Sequence, residues 1–481
     1  MYALGIDIGT TTICAVVAEC ESARVVYTKT APNASYISSQ GFENLQDPKI
    51  ILETVIKVAG DLCDVYKPVK AIGLSCQMHG ILYVDKYGDA ISPLYTWQDG
   101  RGDLFTSEGL SYAETLRNLT GYKNIASGYG AVTNYYNTVN RIAPENAAGF
   151  CTIGDYIGMR LTGDNVCRTH SSNAASIGLY GFGASRFDSA AILKAGMDPN
   201  VFPTVETGCS ILGKTGGGVR GGAYDAGAGS GDIGIDAGVA VSYCIGDNQA
   251  SYIGSVAKPD ETVLINIGTG GQISISGVEM KNAPQLEVRP LLGDRYLLVG
   301  ATLCAGRAYA ALEKFFASVL RMAGAASPAP LYEAMGTALK SMNVGGDEPL
   351  IVSVKFDGTR DEPDARGSIS NIGLRNFTPA HLTAGVLEGI AEELYDLYRQ
   401  MDGEKSRRLL VGAGNGLRKN VYLQETISRR FGASLLIPTN TEEAAFGCVL
   451  FALTASGFYG GLEDAQSRIT YHNGEKNTVI R

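Results

Sequence analysis

Asp247 follows a β-rich run, Val239 to Ile245, and a glycine, Gly246, and precedes Asn248, Gln249, Ala250 and Ser251. A carboxylate so placed has two uses. It can cap the next helix, or it can take the proton from an attacking hydroxyl, as phosphoryl transfer to an alcohol requires. The second use also needs magnesium against the phosphate oxygens, and Asp7 is the acid that would sit near it. Asp7 ends an apolar strand that turns through Ile8, Gly9, Thr10, Thr11 and Thr12 into another strand. In such a hairpin, backbone N–H groups and hydroxyls converge on one point and can cradle a phosphate. The arrangement returns downstream as Asn266, Ile267, Gly268 and Thr269, between the runs Val263 to Ile267 and Gln272 to Ser276. One hairpin of this kind is an ordinary tight turn. Two, one in each half of the chain, point to a nucleotide held between related lobes.

A second set of groups suits a small polar substrate. Gln77, Met78 and His79 follow a predicted strand, Ala71 to Ser75, and ligands of open α/β sheets bind beyond strand ends. His79 equally suits a partly buried imidazole satisfied by backbone. Thr96, Trp97, Gln98, Asp99, Gly100 and Arg101 gather the only tryptophan with groups that bind hydroxyls. An aromatic ring can cover the C–H face of a sugar while carboxylate and guanidinium take its hydroxyls, or the same groups can be a core tryptophan beside an ion pair. Tyr129 to Tyr136 and His170 to Ser176 add polar and aromatic groups. Gly412 to Gly416, with Gly414 and Asn415, lets another group approach the backbone, and its lobe makes it a candidate adenosine turn. Gly208, Gly213, Lys214 and Thr215 match the Walker A spacing, but Gly216, Gly217 and Gly218 follow where a helix must start, so the match is rejected.

These residues need strands and helices to position them. Apolar spacing predicts helices over 49–66, with Ile51, Val55, Val58 and Leu62 on one face, over 307–322, and over 379–401, with Leu382, Val386, Ile390, Leu394 and Leu397 aligned. Strands are expected at 24–28, 81–84, 350–356 and 408–411, and a last helix near Asn440 with Glu443 in a capping-box-like position. The tract 216–238 is read as an extended or mobile loop and 324–330 as a connection. Lys258 to Glu261 marks the boundary between a domain 1–257 and a domain 258–481. A chain of 481 residues needs more than one core. Its net charge of −9 argues against a nucleic-acid or anionic-membrane partner. Any phosphate must therefore be held by local amides and a metal. No apolar run is long enough to span a membrane, the first strand begins at once without a secretory signal, and ten cysteines lie without metal or disulfide spacing. A cytoplasmic location is expected.

Taken in order, Gly5-Ile6-Asp7-Ile8-Gly9-Thr10-Thr11, Gln77-Met78-His79-Gly80, Trp97-Gln98-Asp99-Gly100-Arg101, Gly246-Asp247-Asn248-Gln249-Ala250-Ser251, Gly268-Thr269-Gly270, Gly358-Thr359-Arg360 and Gly412-Ala413-Gly414-Asn415 closely resemble the FGGY carbohydrate kinases over nearly the whole chain. That family has two ribonuclease-H-like lobes of the actin-like ATPase type, so the resemblance implies an α/β fold with a cleft between two such domains. Within the family, Met78-His79 looks like the ketose kinases. Tyr95 to Arg101, Ser127-Gly128-Tyr129-Gly130 and Asn173 to Ser176 look most like the sedoheptulokinase branch, with pentulokinases as the alternative. The resemblance implies ATP and Mg2+ as cofactors, a small ketose as substrate, Asp247 as catalytic base and Asp7 as the acid near the metal. It places Thr10, Thr11, Thr12, Gly268 and Thr269 at phosphates and Gly414 and Asn415 at adenosine. Gln77, Met78, His79, Trp97, Asp99, Arg101 and Asn248 fall on the sugar side. A homodimer is left open, and a catalytically silent sugar-binding regulator is the alternative of another class. Two departures, Cys76 where the family often has Gly and the Gly-rich tract before Val239, bear on sugar identity first.

Overall fold

Two sheets of the same design carry the molecule. In the first, the strands run in the order Ile211–Lys214, Ala240–Gly246, Val69–Cys76, Tyr2–Ile8, Thr12–Glu19, Val25–Pro32. In the second, they run Leu286–Leu292, Arg295–Thr302, Gly271–Gly277, Thr262–Ile267, Leu409–Ala413, Leu435–Pro438, Thr470–Asn473, Lys476–Val479. Each sheet contains a hairpin whose first strand pairs in parallel with a later strand, which in turn pairs in parallel with the next. The hairpin repeat in the sequence is thus the visible part of a repeated sheet. This computed structural model describes the chain except residues 217–233, 279–284, 326–329, 341, 343–347, 360–361, 363, 403–408, 474–475 and 480–481. Arg360, Arg408, most of the Gly-rich tract and part of the 324–330 connection lie outside the described residues.

Register decides what emerges together. Ile8 and Gly246 each pair with Cys76, so the chain leaves three parallel strands at one edge, with Asp7, Gln77 and Asp247 within a residue of it. In the second sheet Asn266 pairs with Ala413, which brings the Gly268 turn and Gly414 to the matching edge. The helices Pro48–Val65 and Ile153–Thr162 cover one face of the first sheet with Ile51, Val55, Leu62, Tyr156 and Ile157. Asp47 caps the former and Pro48 opens it. The long helix Pro379–Asp402 buries Leu382, Val386, Ile390, Leu394 and Leu397 against the second sheet, each worth about 1.5–3 kcal/mol relative to exposure.

The other face of the first sheet is covered by a helix from the far end of the chain. Glu443–Ala455 lies in a groove between that sheet and the helix Asp247–Ser255. Glycine makes the approach feasible: a Cβ at Gly5 would stand 1.9 Å from Ala445 O, and one at Gly73 would stand 2.0 Å from Cys448 O. Gly254 and Gly447 play the same part at the helix crossing, with 2.0 Å to Glu443 O and 1.9 Å to Ala250 O.

Other expectations change in detail. The strand expected at 350–356 shrinks to Ile351–Ser353, which among the described residues pairs with Ser368–Ser370. The last long helix starts at Glu443 rather than near Asn440, with Glu442 at its N-cap and no side-chain cap, and the Glu443 carboxylate binds Arg418 at 2.6 Å. The rejected Walker segment is an edge strand, and the Thr215 hydroxyl is held by Asp236 O and Val239 N. All ten cysteines are free thiols. No helix among the described residues is long and apolar enough to cross a membrane.

Candidate active site

Asp247 opens its helix directly from the strand edge, with Asp7 on the neighbouring hairpin and an edge still open to solvent. Burial pushes its carboxyl up to about 7, and the charge of Asp7 adds to the rise, while the Arg289 guanidinium and the Asn248 backbone N–H oppose it. Asp7 is likewise raised by burial, offset by a 2.6 Å hydrogen bond from Ser75 and reinforced by Glu442. A raised carboxyl is not diagnostic by itself. Asp155, also near 7 through burial, is the N3 residue of the Thr152 capping box.

Asp247 lies between the two hairpins. Asp7 belongs to the first, and Asn248, next to Asp247, donates at 2.8 Å to Gln272 of the second. Asn248 Oδ1 is buried and has no partner among the described residues. Gly246 N donates to Ser172 Oγ, and Asn173 Nδ2 to Cys244 O, so the helix Ser171–Ile177 fixes the turn that carries Asp247.

The wall beside Asp247 is built from the strand end at Gln77. His79 sits at φ +74, and its Nδ1 donates at 2.7 Å to Ser176 O, which leaves Nε2 as the acceptor nitrogen. Its ring stacks on Tyr129 at 4.3 Å. Gly128 brings that loop close, since a Cβ there would meet Trp97 O at 2.0 Å. Trp97 is 47% exposed, so its ring faces solvent rather than core. Its Nε1 donates at 3.0 Å to the Thr10 hydroxyl, which itself donates to Gln77 Oε1. Met78 is buried against Gly246.

Two expectations require correction. Thr10 does not present a free hydroxyl to phosphate, because Trp97 and Gln77 occupy it; Thr11 and Thr12 remain exposed. Asp99 and Arg101 are 1% and 3% exposed and are committed to each other at 2.5 Å, with Asn44 N on Asp99 and Asn137 Oδ1 on Arg101. Arg101 also lies 4.1 Å from the Tyr95 ring centroid. The pair supports the segment that carries Trp97; it does not reach the cleft. Sequence reading missed Gln46, which holds Gln77 and the Thr10 carbonyl, and Arg289. Neither lies in a motif.

On the second lobe, a cavity of about 820 Å³ is lined by Gly268, Thr269, Gly306, Asn415 and Gly416, with Tyr309, Tyr332 and Tyr422. Tyr309 and Tyr332 stack at 5.6 Å. Helix Gly306–Met322 starts against the hairpin turn, with Arg307 N on Thr269 O, and Asp357 pairs with Arg307. Gly414, at φ +83, lies behind this wall, where a Cβ would strike Asn266 Oδ1 at 2.4 Å. A second cavity of about 390 Å³ lies between the lobes, with Arg117, Lys123 and Tyr129 on one side and Glu287, Lys355 and Glu393 on the other. No cluster of three His, Cys, Asp or Glu side chains among the described residues could hold a metal unaided. Asp7 instead offers a hard oxygen at the cleft floor, which suits a magnesium ion arriving with phosphates and keeping its waters.

The FGGY family of carbohydrate kinases matches this chain through its N-terminal domain over residues 2–254 and its C-terminal domain over residues 263–456. The sedoheptulokinase of Mus musculus is 25% identical over 94% of this chain and 97% of its own length. The xylulose kinase of Streptomyces coelicolor is 24% identical over 96% and 89%. Among solved structures, a ligand-bound xylulose kinase from Lactobacillus acidophilus superposes with a TM-score of 0.79 at 19% identity, covering 98% of this chain and 93% of that one. With both domain matches in chain order and a repeated sheet that places an acid on a strand edge between two hairpins, the chain belongs to the FGGY family of carbohydrate kinases, a family of phosphotransferases.

Proposed function

We propose that this enzyme transfers the γ-phosphoryl group of ATP to the terminal hydroxyl of a ketose, with sedoheptulose as the acceptor and the 7-phosphate as product. The observation that carries the reading is the position of Asp247, beside Asp7 and one residue from a hydrogen bond that bridges the lobes. Asp247 takes the proton of the attacking hydroxyl, and a carboxyl near 7 suits a base working at neutral pH. His79, Asn248 and the Trp97 face contact the sugar, and Gln77 and Met78 shape its wall. Asp99 and Arg101 position that wall. Gly268 and Thr269 receive phosphates, Thr11 and Thr12 face them from the first hairpin, and Asn415 lies against the nucleoside, with Gly414 behind it. Magnesium, held through Asp7, neutralises phosphate charge when bound.

Residues 1–257 supply sugar and base, residues 258–481 the nucleotide site, and the cytoplasm is the compartment where ATP is at hand. The likeness to the mouse sedoheptulokinase over nearly both full lengths favours the heptulose, and the likeness to the Streptomyces xylulose kinase makes a pentulose the second reading. A coupled ADP-release assay over sedoheptulose, xylulose, ribulose, fructose and glycerol decides. The highest kcat/KM is expected with sedoheptulose. A higher value with xylulose or ribulose transfers the assignment to pentuloses, and no ketose-stimulated turnover at all rejects it.

A further inference from the structure

Arg289 comes from the second lobe, yet it is buried next to the base of the first. Its strand, Leu286–Leu292, is fastened across the lobes: Gln249 Nε2 donates at 2.9 Å to Pro290 O, and Gly293 N donates at 2.8 Å to Thr207 O. Gln249 is two residues beyond Asp247, and Pro290 adjoins Arg289, so the guanidinium is anchored at the cleft floor. It is 7% exposed. One Nη binds Glu287 at 2.7 Å, two residues away on the same strand face, and Glu287 lines the interlobe cavity together with Tyr129. Asp247 and Tyr129 are among the electrostatic neighbours of Arg289, and Tyr129 lines that cavity.

The bonding here is incomplete. Arg289 Nε is buried without a partner among the described residues, as are Asn173 Oδ1 and Asn248 Oδ1. Both asparagines are fixed by their amide nitrogens, on Cys244 O and Gln272 Oε1. A buried guanidinium N–H without an acceptor is costly. The Arg289 donor and the two asparagine acceptors, Asn248 being next to Asp247 and Asn173 bonded to the strand that leads to it, match a chain of hydroxyls, each able to accept and donate.

Resting on the kinase reading above, we propose that Arg289 belongs to the acceptor site and donates its Nε–H to a sugar oxygen beside the hydroxyl that Asp247 deprotonates. The acceptor is thus held by residues of both lobes.

The test compares Arg289→Met and Arg289→Lys with wild type, using sedoheptulose and xylulose with MgATP. In both variants the ketose KM should rise about 10- to 100-fold, the range for losing a hydrogen bond to a charged group. The KM for ATP and the ketose-independent ATP hydrolysis should stay within about twofold, since neither uses this contact. Arg289→Lys keeps the charge and should keep the wild-type pH midpoint of kcat, whereas Arg289→Met should move it upward. An unchanged ketose KM in folded variants overturns the proposal and leaves the kinase reading intact. Equal damage to both substrates overturns it in favour of a structural ion pair. A wild-type enzyme without ketose-stimulated turnover removes the kinase reading and this proposal together.

Discussion

Asp247 is caught between opposing charges, and its chemistry can be read from pH. Because the base must be ionised, kcat should rise with pH through about 7 and level off above. Asp247→Asn should lower kcat by roughly 10²- to 10⁴-fold and abolish that limb, while ATP binding, followed by calorimetry, persists. The same shift has a cost in stability. Between the ordinary carboxylate pKa and about 7 the unfolded chain releases this proton and the folded chain keeps it, so stability falls as pH rises through that window. Asp247→Asn should therefore melt at a higher temperature than wild type at pH 8 and show little gain at pH 4. Substitution at Asp99 should instead destabilise the fold. Its partner Arg101 is buried, so Asp99→Ala leaves an uncompensated cation and should cost about 3–5 kcal/mol in denaturant unfolding, more than it changes sugar KM in the surviving protein. The sequence placed Asp247 and His79 just beyond strand ends, as the structure has them, since strand ends are marked by glycine and polarity. It could not show that Asp99 and Arg101 turn inward, because composition is identical for a pair facing sugar and a pair facing each other.

At the scale of elements, apolar periodicity recovered the helices over 48–65, 306–322 and 379–402 within a residue or so, because each packs one stripe on a sheet. Glu443–Ala455 has no such stripe. Almost every side chain from Ala445 to Leu453 is buried, so its spacing says nothing about which neighbour it meets. Arg289 escaped for a related reason: an isolated arginine in a strand carries no pattern. The crossing of Glu443–Ala455 over Asp247–Ser255 depends on two glycines whose missing Cβ atoms leave no slack. Gly447→Ala should push the helices apart, costing roughly 1–3 kcal/mol or more in unfolding experiments. Because the second helix carries Asp247, kcat should fall even in the folded fraction. An unaltered kcat would show that the base is positioned by its strand only.

At the scale of the molecule, the cavity of about 820 Å³ lies on the second lobe, the wall of His79, Tyr129 and Trp97 lies on the first, and Asp247 stands at their junction. Such a layout lets lobe closure exclude water from the transfer. Magnesium and ATP should raise the melting temperature together more than ATP with chelator, since a cation beside Asp7 and Asp247 relieves two crowded carboxylates.

The groove filled by Glu443–Ala455 also bears on how the protein comes into being. A ribosome that has released the strands through Gly246 must add roughly 200 residues before that helix appears, about 10–40 s at about 5–20 residues per second. Throughout that interval Ala3, Val16 and Ala18 face water. The nascent first half should therefore need shielding until that helix arrives, and a chain truncated after Gly246 should aggregate rather than fold.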